Sequence, residues 1–242
     1  MTRQPLVLLP GLLCDDEVWA SQITALGDVA DCVCVDYGEL DSLRSMAEKV
    51  LRVAPPRFAV AGHSMGGRVA LEVYRLAPER VTRIGLFDTA FAPLPAGDAG
   101  ERERRSRYAL LEVAQNEGMG AMARQWLPPM LHPENMKNEA LFEAIIRMLE
   151  RKTPLIHAAQ IKALLERPDA TAVLASIRCP ALMLTGGQDA WSPPSIHQTM
   201  AQAVPGSRLV VIPNCGHMAP MESPEAVTAA MRDWLAAPAV LS

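Results

Sequence analysis

Leu6-Val7-Leu8-Leu9 is continuously apolar and is closed by Pro10-Gly11, which is how a strand buried on both faces reads. Asp15 to about Leu26 then reads as helical. Val33–Asp36 is expected to be a second strand. Asp41 or Ser42 can cap a helix whose apolar residues are Leu43, Met46, Ala47, Val50 and Leu51, one stripe on one face. Arg57–Ala61 is a third strand, followed by a helix from about Met65 to Ala77, and Arg83–Phe87 is a fourth strand. Strands alternating with helices over short links predict a parallel sheet with helices on both faces.

The alternation then stops. Between Ala90 and Ser176 no strand is visible, and helical segments are expected near Glu101–Asn116, Met119–Trp126, Asn135–Glu150 and Pro154–Glu166. Thr153-Pro154 is a good start for the last: Thr caps it, and Pro takes the first helical position, where no N–H is needed. Strand and helix resume with Ala181–Thr185, Pro193–Ala203, Arg208–Ile212 and Pro224–Leu235. The expected organisation is an α/β core formed by residues 1–90 and 177–242, with residues 91–176 as a helical cap insertion.

Composition narrows the function. In 242 residues, half are apolar, which supplies a sizeable core, and the net charge is −4. A mildly acidic chain has no general attraction for phosphate backbones or anionic lipid, so no nucleic-acid or membrane partner is expected. No apolar run approaches the ~18 residues a membrane helix needs. Leu6–Leu13 is broken by Pro10-Gly11 and followed by acidic residues, so it reads as a strand rather than a leader. The five cysteines include no C-x-x-C pair, and Cys32 and Cys34 share a strand face. They read as reduced thiols of a cytoplasmic protein. No H-E-x-x-H, clustered Cys/His or dinucleotide G-x-G-x-x-G is present, so no metal or cofactor is expected.

The sharpest chemical signal is Gly62-His63-Ser64-Met65-Gly66, lying between an expected strand and an expected helix. A serine there sits on a tight, strained turn with its hydroxyl exposed at the carboxyl end of the sheet. Gly62 and Gly66 are expected because a Cβ at either position would strike the neighbouring backbone. A serine hydroxyl needs a base. Of five histidines, His63 should point away from the serine, His132 and His157 fall in the insertion, and His197 lies in a surface helix. His217 follows the last strand, in a carboxyl-end loop where open α/β sheets bind ligands. The base needs a carboxylate to orient it. Asp189 and Asp88 each follow a strand and are both geometrically eligible; Asp189, in the loop before the last strand, is the preferred candidate and Asp88 its rival.

These segments make the chain resemble an α/β-hydrolase of the small serine-esterase type over essentially its whole length. The resemblance implies a catalytic Ser64–Asp189–His217 set and an oxyanion hole formed by the backbone N–H groups of Leu12 and Met65. The family's first-strand loop commonly reads His-Gly, where this chain has Pro10-Gly11. The first strand begins by about Pro5, so the two opening strands common in the family have no sequence to form from, and about six parallel strands are expected. Ser64 argues against haloalkane dehalogenases and epoxide hydrolases, which place Asp at the elbow. Lactonases, thioesterases, carbon–carbon bond hydrolases, cofactor-free haloperoxidases and slow-turnover ligand-binding relatives stay open.

The leading expectation is hydrolysis of a small-molecule carboxylic ester of small to medium apolar acyl group. Met122, Trp126 and Met148 are the expected pocket residues, from an insertion crowded with methionine that reads equally as a plastic lid or as its own packing. The run Glu101–Arg107 carries i, i+4 pairs and reads as a solvated helix face, with a grip on a substrate carboxylate or an acidic carrier as the alternative. Cys14 and Cys215, near the expected site, read as inert thiols. Oligomeric state is left open.

Overall fold

A computed structural model describes residues 3–238. Six strands run in parallel: β1 (Gln4–Leu9), β2 (Ala30–Cys34), β3 (Phe58–His63), β4 (Val81–Phe87), β5 (Ala181–Gly186) and β6 (Arg208–Ile212), in the spatial order β2-β1-β3-β4-β5-β6. β3 and β5 are buried along their whole length, as their unbroken apolar runs require.

The helices between and after the strands are α1 (Ala20–Leu26), α2 (Leu43–Val53), α3 (Met65–Leu76), α4 (Asp98–Asn116), α5 (Met119–Trp126), α6 (Glu139–Glu150), α7 (Pro154–Leu165), α8 (Thr171–Ser176), α9 (Pro194–Ala203), α10 (Ala219–Glu222) and α11 (Pro224–Ala236). The chain steps from β1 outward to β2, then back across to β3. Right-handed crossovers therefore place α1 on one face and α2 and α3 on the other. α11 packs beside α1, whereas α8 bridges α3 and α9. The reversal of direction falls between β1 and β3, which opens a crevice at their carboxyl ends.

Local signals place several helix ends. Ser42, rather than Asp41, caps α2 by accepting from the Ser45 N–H at 3.1 Å. Thr153 caps α7 through Ile156 N–H at 3.2 Å, with Pro154 at the first position. Asn138 caps α6, so the helical stretch expected from Asn135 divides into a 3-10 turn (Asn135–Lys137) and α6. Two short helices were not expected from the sequence, α8 and α10.

The second strand is a correction. It spans Ala30–Cys34, not Val33–Asp36. Its register is set by β1, with Gln4 opposite Ala30 and Leu8 opposite Cys34. An edge strand takes its limits from its one partner, and Val33, which anchored the apolar reading, is half exposed. Cys32 and Cys34 do share one partly buried face.

Helices α4 to α7 form a roof over the carboxyl ends of the strands, α4 packing on α5 and α7, and α5 on α6. α8 returns to the sheet layer, where the Tyr74 hydroxyl on α3 donates to Ser176 C=O at 3.2 Å and accepts from Arg178 N–H at 3.0 Å. No described helix is long and apolar enough to cross a membrane.

Candidate active site

Ser64 sits between β3 and α3 with φ 54° and ψ −116°, a conformation that costs a side-chain-bearing residue roughly 1–3 kcal/mol and must be held by its surroundings. Its backbone hydrogen bonds hold it. Ser64 N–H donates to Phe87 C=O at 2.9 Å, and its own carbonyl accepts from Gly67 N–H at 3.0 Å and from the Thr89 hydroxyl at 2.6 Å. A Cβ at Gly62 would collide with the carbonyl of Gly66, and one at Gly66 with the carbonyl of Leu9. That is why glycine flanks the serine on both sides.

His217, in the loop after β6, brings Nε2 to 2.9 Å from Ser64 Oγ. Its Nδ1 lies 2.9 Å from Asp189 Oδ2. Asp189 is buried in the loop after β5, and its Oδ1 accepts from Trp191 and Ser192 N–H at 2.8 and 2.9 Å. Burial works to raise its carboxyl, but His217 and these two donors outweigh it and hold the group below the usual carboxylate range. With Nδ1–H given to the carboxylate, Nε2 faces Ser64 as a lone pair.

The structure thus brings Ser64, Asp189 and His217 together, and it separates the two carboxylates the sequence left eligible. Asp88 reaches neither His217 nitrogen. Its Oδ1 accepts from Gly186 N–H at 2.9 Å, and its Oδ2, buried without a hydrogen-bond partner, lies 3.9 Å from His63 Nε2. Burial, and then the nearby Asp189 charge, push the Asp88 carboxyl well up, so the neutral acid is favoured.

Leu12 follows β1 and Met65 opens α3, so their backbone N–H groups flank the crevice at the point where strand order reverses. Among the described residues neither N–H is taken by a protein acceptor. The loop carrying Leu12 is held from above. Leu13, at φ 61°, donates its N–H to Oε1 of the buried Gln160 on α7 at 2.7 Å. Beneath it, Trp19 Nε1 donates to Leu9 C=O at 3.3 Å. The His217 loop is tied to the roof as well. His217 N–H donates to Met130 C=O at 2.7 Å, and Glu222 accepts from the N–H groups of His132, Gly216 and Met218 at 2.8 to 3.1 Å.

A cavity of about 360 Å³ opens over Ser64, lined on its apolar side by Leu12, Met65, Trp126, Met130, Leu164 and Trp191. Trp126 and Trp191 meet edge to face at 6.4 Å. A second chamber of about 290 Å³ shares Leu12, Trp126 and Trp191 and reaches back to His157 and Ile161. Of the expected pocket residues, Trp126 lines both spaces. Met122 and Met148 do not: both are fully buried, on α5 and α6, and line neither space. The methionine of the insertion that lines the site is Met130.

The remaining wall is charged: Arg68, Glu103, Arg107 and Arg167. This corrects the reading of Glu101–Arg107 as a solvated face. Arg105 lies outward, whereas Glu103 and Arg107 turn toward the cavity and Arg102 borders the second chamber. Arg68, Arg167 and Gln160 were missed in the sequence. Arg68 had a signal, since it follows Ser64 by one helical turn; Arg167 and Gln160 had none, because the insertion's packing brings them in.

Cys14 is buried, which pushes its thiol up to about 12, and burial also raises that of Cys215. Both are poor thiolates at neutral pH, and all five cysteines are unpaired. Among the described residues no group of three or more His, Cys, Asp or Glu side chains is placed to hold a metal ion.

Comparison with known proteins places this geometry. The chain is 27% identical over 252 aligned residues to a pimeloyl-acyl-carrier-protein methyl ester esterase of Nitrosomonas europaea, covering 91% of each chain. It is 24% identical over 248 residues to an (E)-2-((N-methylformamido)methylene)succinate hydrolase of Acinetobacter baylyi, covering 96% of this chain and 90% of the other. The solved structure of a thermophilic esterase from Thermogutta terrifontis, with malate bound, superposes with a TM-score of 0.84 at 30% identity, over 97% of this chain and 90% of that one. The alpha/beta hydrolase family profile matches residues 6–230, nearly the whole chain, so the protein is a member of the alpha/beta hydrolase family.

Proposed function

We propose that the protein is a serine carboxylic-ester hydrolase that works through an acyl-enzyme on Ser64. The observation that carries this is the unbroken run of 2.9 Å contacts from Ser64 Oγ through His217 to Asp189, at the floor of a cavity. Ser64 Oγ attacks the ester carbonyl as His217 Nε2 takes its proton, and Asp189 stabilises the imidazolium so formed. The negative charge that develops on the carbonyl oxygen is accepted by the Leu12 and Met65 N–H groups. His217 then returns the proton to the departing alcohol. Water, activated by the same imidazole, releases the acid and restores the hydroxyl. None of these steps calls for a metal or a cofactor.

The esterase names of the Nitrosomonas and Thermogutta relatives support ester chemistry. Five unpaired cysteines and a net charge of −4 favour a cytoplasmic enzyme of small molecules over one that works on nucleic acid or membranes.

The test is a fluorophosphonate reagent followed by peptide mass spectrometry, with aryl-ester turnover of wild type and Ser64→Ala. The adduct is expected on Ser64, and the variant is expected to lose on the order of 10⁴-fold or more in kcat. An adduct elsewhere, or turnover surviving in the folded variant, overturns the assignment. A burst of one acyl equivalent without turnover assigns ligand capture instead.

A further inference from the structure

The charged wall of the cavity is not balanced. It holds three guanidiniums, and Glu103 is its one carboxylate. Arg167, beyond the end of α7, grips both Glu103 oxygens, Nη1 to Oε1 at 2.7 Å and Nη2 to Oε2 at 2.8 Å, and also donates to the carbonyls of Leu164 and Ala92. Arg107, on α4, donates Nε to Glu103 Oε1 at 2.9 Å, with Nη2 at 2.8 Å. This trio fastens α4 to the end of α7, and a purely structural role accounts for it.

Arg68 is different. It rises from α3, in the sheet layer, and its one hydrogen bond is from Nη1 to Ala92 C=O at 2.9 Å. It has no carboxylate of its own, and Arg107 and Arg167 are its charged neighbours along with the already doubly engaged Glu103. Burial, and then Arg167, push its guanidinium down to about 9, the direction expected for a cation short of an anion. A partly buried wall with two more positive than negative charges favours the entry of a group of opposite sign. Arg68 and Arg107 still present unused N–H donors, in the fork geometry that suits a carboxylate. Arg68 also follows Ser64 by four residues, so its Cα stands about 6 Å further along the helix axis.

Taking the hydrolase reading above as its basis, we propose that this wall is an anion subsite and that the substrate is a half-ester of a short dicarboxylic acid. Ser64 attacks the esterified end while Arg68 and Arg107 hold the free carboxylate, and Glu103 and Arg167 fix Arg107 in place. Water adds across the ester bond, so one half-ester yields one dicarboxylic acid and one alcohol.

The test compares aryl hemisuccinate and hemiglutarate with neutral aryl esters of equal length, and with a neutral acyl ester whose carboxylate sits on the aryl leaving group. Wild type is expected to favour the half-esters at least tenfold in kcat/KM, chiefly through KM, with the preference shrinking as salt rises. The preference ratio is expected to fall at least tenfold in Arg68→Gln and in Arg107→Gln and to hold in Arg105→Gln, whose side chain lies on the outer face. A ratio near one in wild type, or one that survives Arg68→Gln, overturns the subsite; a preference for the leaving-group carboxylate overturns the half-ester form. Glutarate titrated calorimetrically into wild type and Arg68→Gln reads the subsite without turnover. Affinity weakened at least tenfold in the variant supports it even if no ester is cleaved, and equal or absent affinity overturns it.

Discussion

His63 Nε2 lies 2.8 Å from the carbonyl oxygen of His217. The residue beside Ser64 in sequence thus points away from it and holds the backbone of the residue opposite. A carbonyl only accepts, so Nε2 carries a hydrogen. Burial, and then His217, push its protonation down to about 3, so the ring is a neutral imidazole with its hydrogen on Nε2. The strand that bears Ser64 and the loop that bears His217 are therefore joined by a bond outside the reacting atoms. On the proposed mechanism His63 is a positioning residue.

Its removal is expected to show in kcat. His63→Phe fills the space but donates nothing, and a slight shift of His217 costs roughly 10- to 100-fold in kcat with KM little changed. His63→Gln restores a donor and is expected to recover most of the rate. Steady-state kinetics on one aryl ester check this; equal loss in both variants would reduce His63 to packing.

The two buried aspartates give opposite expectations. Asp189→Asn removes the partner that sets the His217 tautomer and is expected to lower kcat about 10⁴-fold. Asp88→Asn is expected to stay active. Its carboxyl is already driven toward the neutral form, so the amide mimics it and removes the cost of a buried charge. Melting temperature at pH 8 is expected to be unchanged or raised in Asp88→Asn. Turnover and thermal melts of both variants decide it, and the reverse ranking of rates would move the acid to Asp88.

Gln160 connects the roof to the loop that carries Leu12, the proposed oxyanion donor, through its bond to Leu13 N–H. Gln160→Leu keeps the bulk and releases the loop that carries Leu12. We expect kcat to fall about 10- to 100-fold, less than loss of a direct oxyanion donor, while fluorophosphonate still labels Ser64. Gln160→Glu, which retains an acceptor oxygen, is expected to lie between the variant and wild type. Unchanged kcat in Gln160→Leu would sever the roof from the oxyanion loop.

Acid stability follows from buried imidazoles. Burial pushes His63 down to about 3, and His157 and His197 to about 4. An unfolded imidazole takes its proton near 6.5, so between that pH and 3–4 the unfolded chain binds more protons and native stability falls as pH drops. Each such group contributes about 1.4 kcal/mol per pH unit within its window. Glu103 adds a later loss: burial opposes its ionisation, but Arg167 and Arg107 prevail and hold it at about 2, so its contribution fades from about 4.5 downward. Asp88 runs the other way, its cost easing in acid. The melting temperature is expected not to fall from pH 8 to 7 and to drop by pH 4.5, where three imidazoles outweigh the one carboxyl, with a shallower drop in His197→Gln. A melting temperature independent of pH from 7 to 4.5 would contradict this account.

The alternation of short apolar runs with 3.6-periodic stretches was enough to predict a parallel sheet, because a strand covered on both faces has no polar face to disguise it. Gly62 and Gly66 marked the serine turn, since no other residue fits where a Cβ would meet backbone. The positions of Ser64, Asp189 and His217 after the ends of β3, β5 and β6 were likewise legible, because every strand of a parallel sheet delivers its loop to the same edge. What required the tertiary structure was everything carried by a single partner or by packing. β2 took its limits from β1 rather than from Val33. Asp189 was separated from Asp88 by which carboxylate reaches Nδ1. Helix periodicity shows that α5 and α6 have a buried side but not whether that side meets the cavity or another helix, so Met122 and Met148 were misplaced. Arg68, Arg107 and Arg167 are scattered over a hundred residues, and only the docking of α4 and α7 over α3 turns three separate cations into one wall.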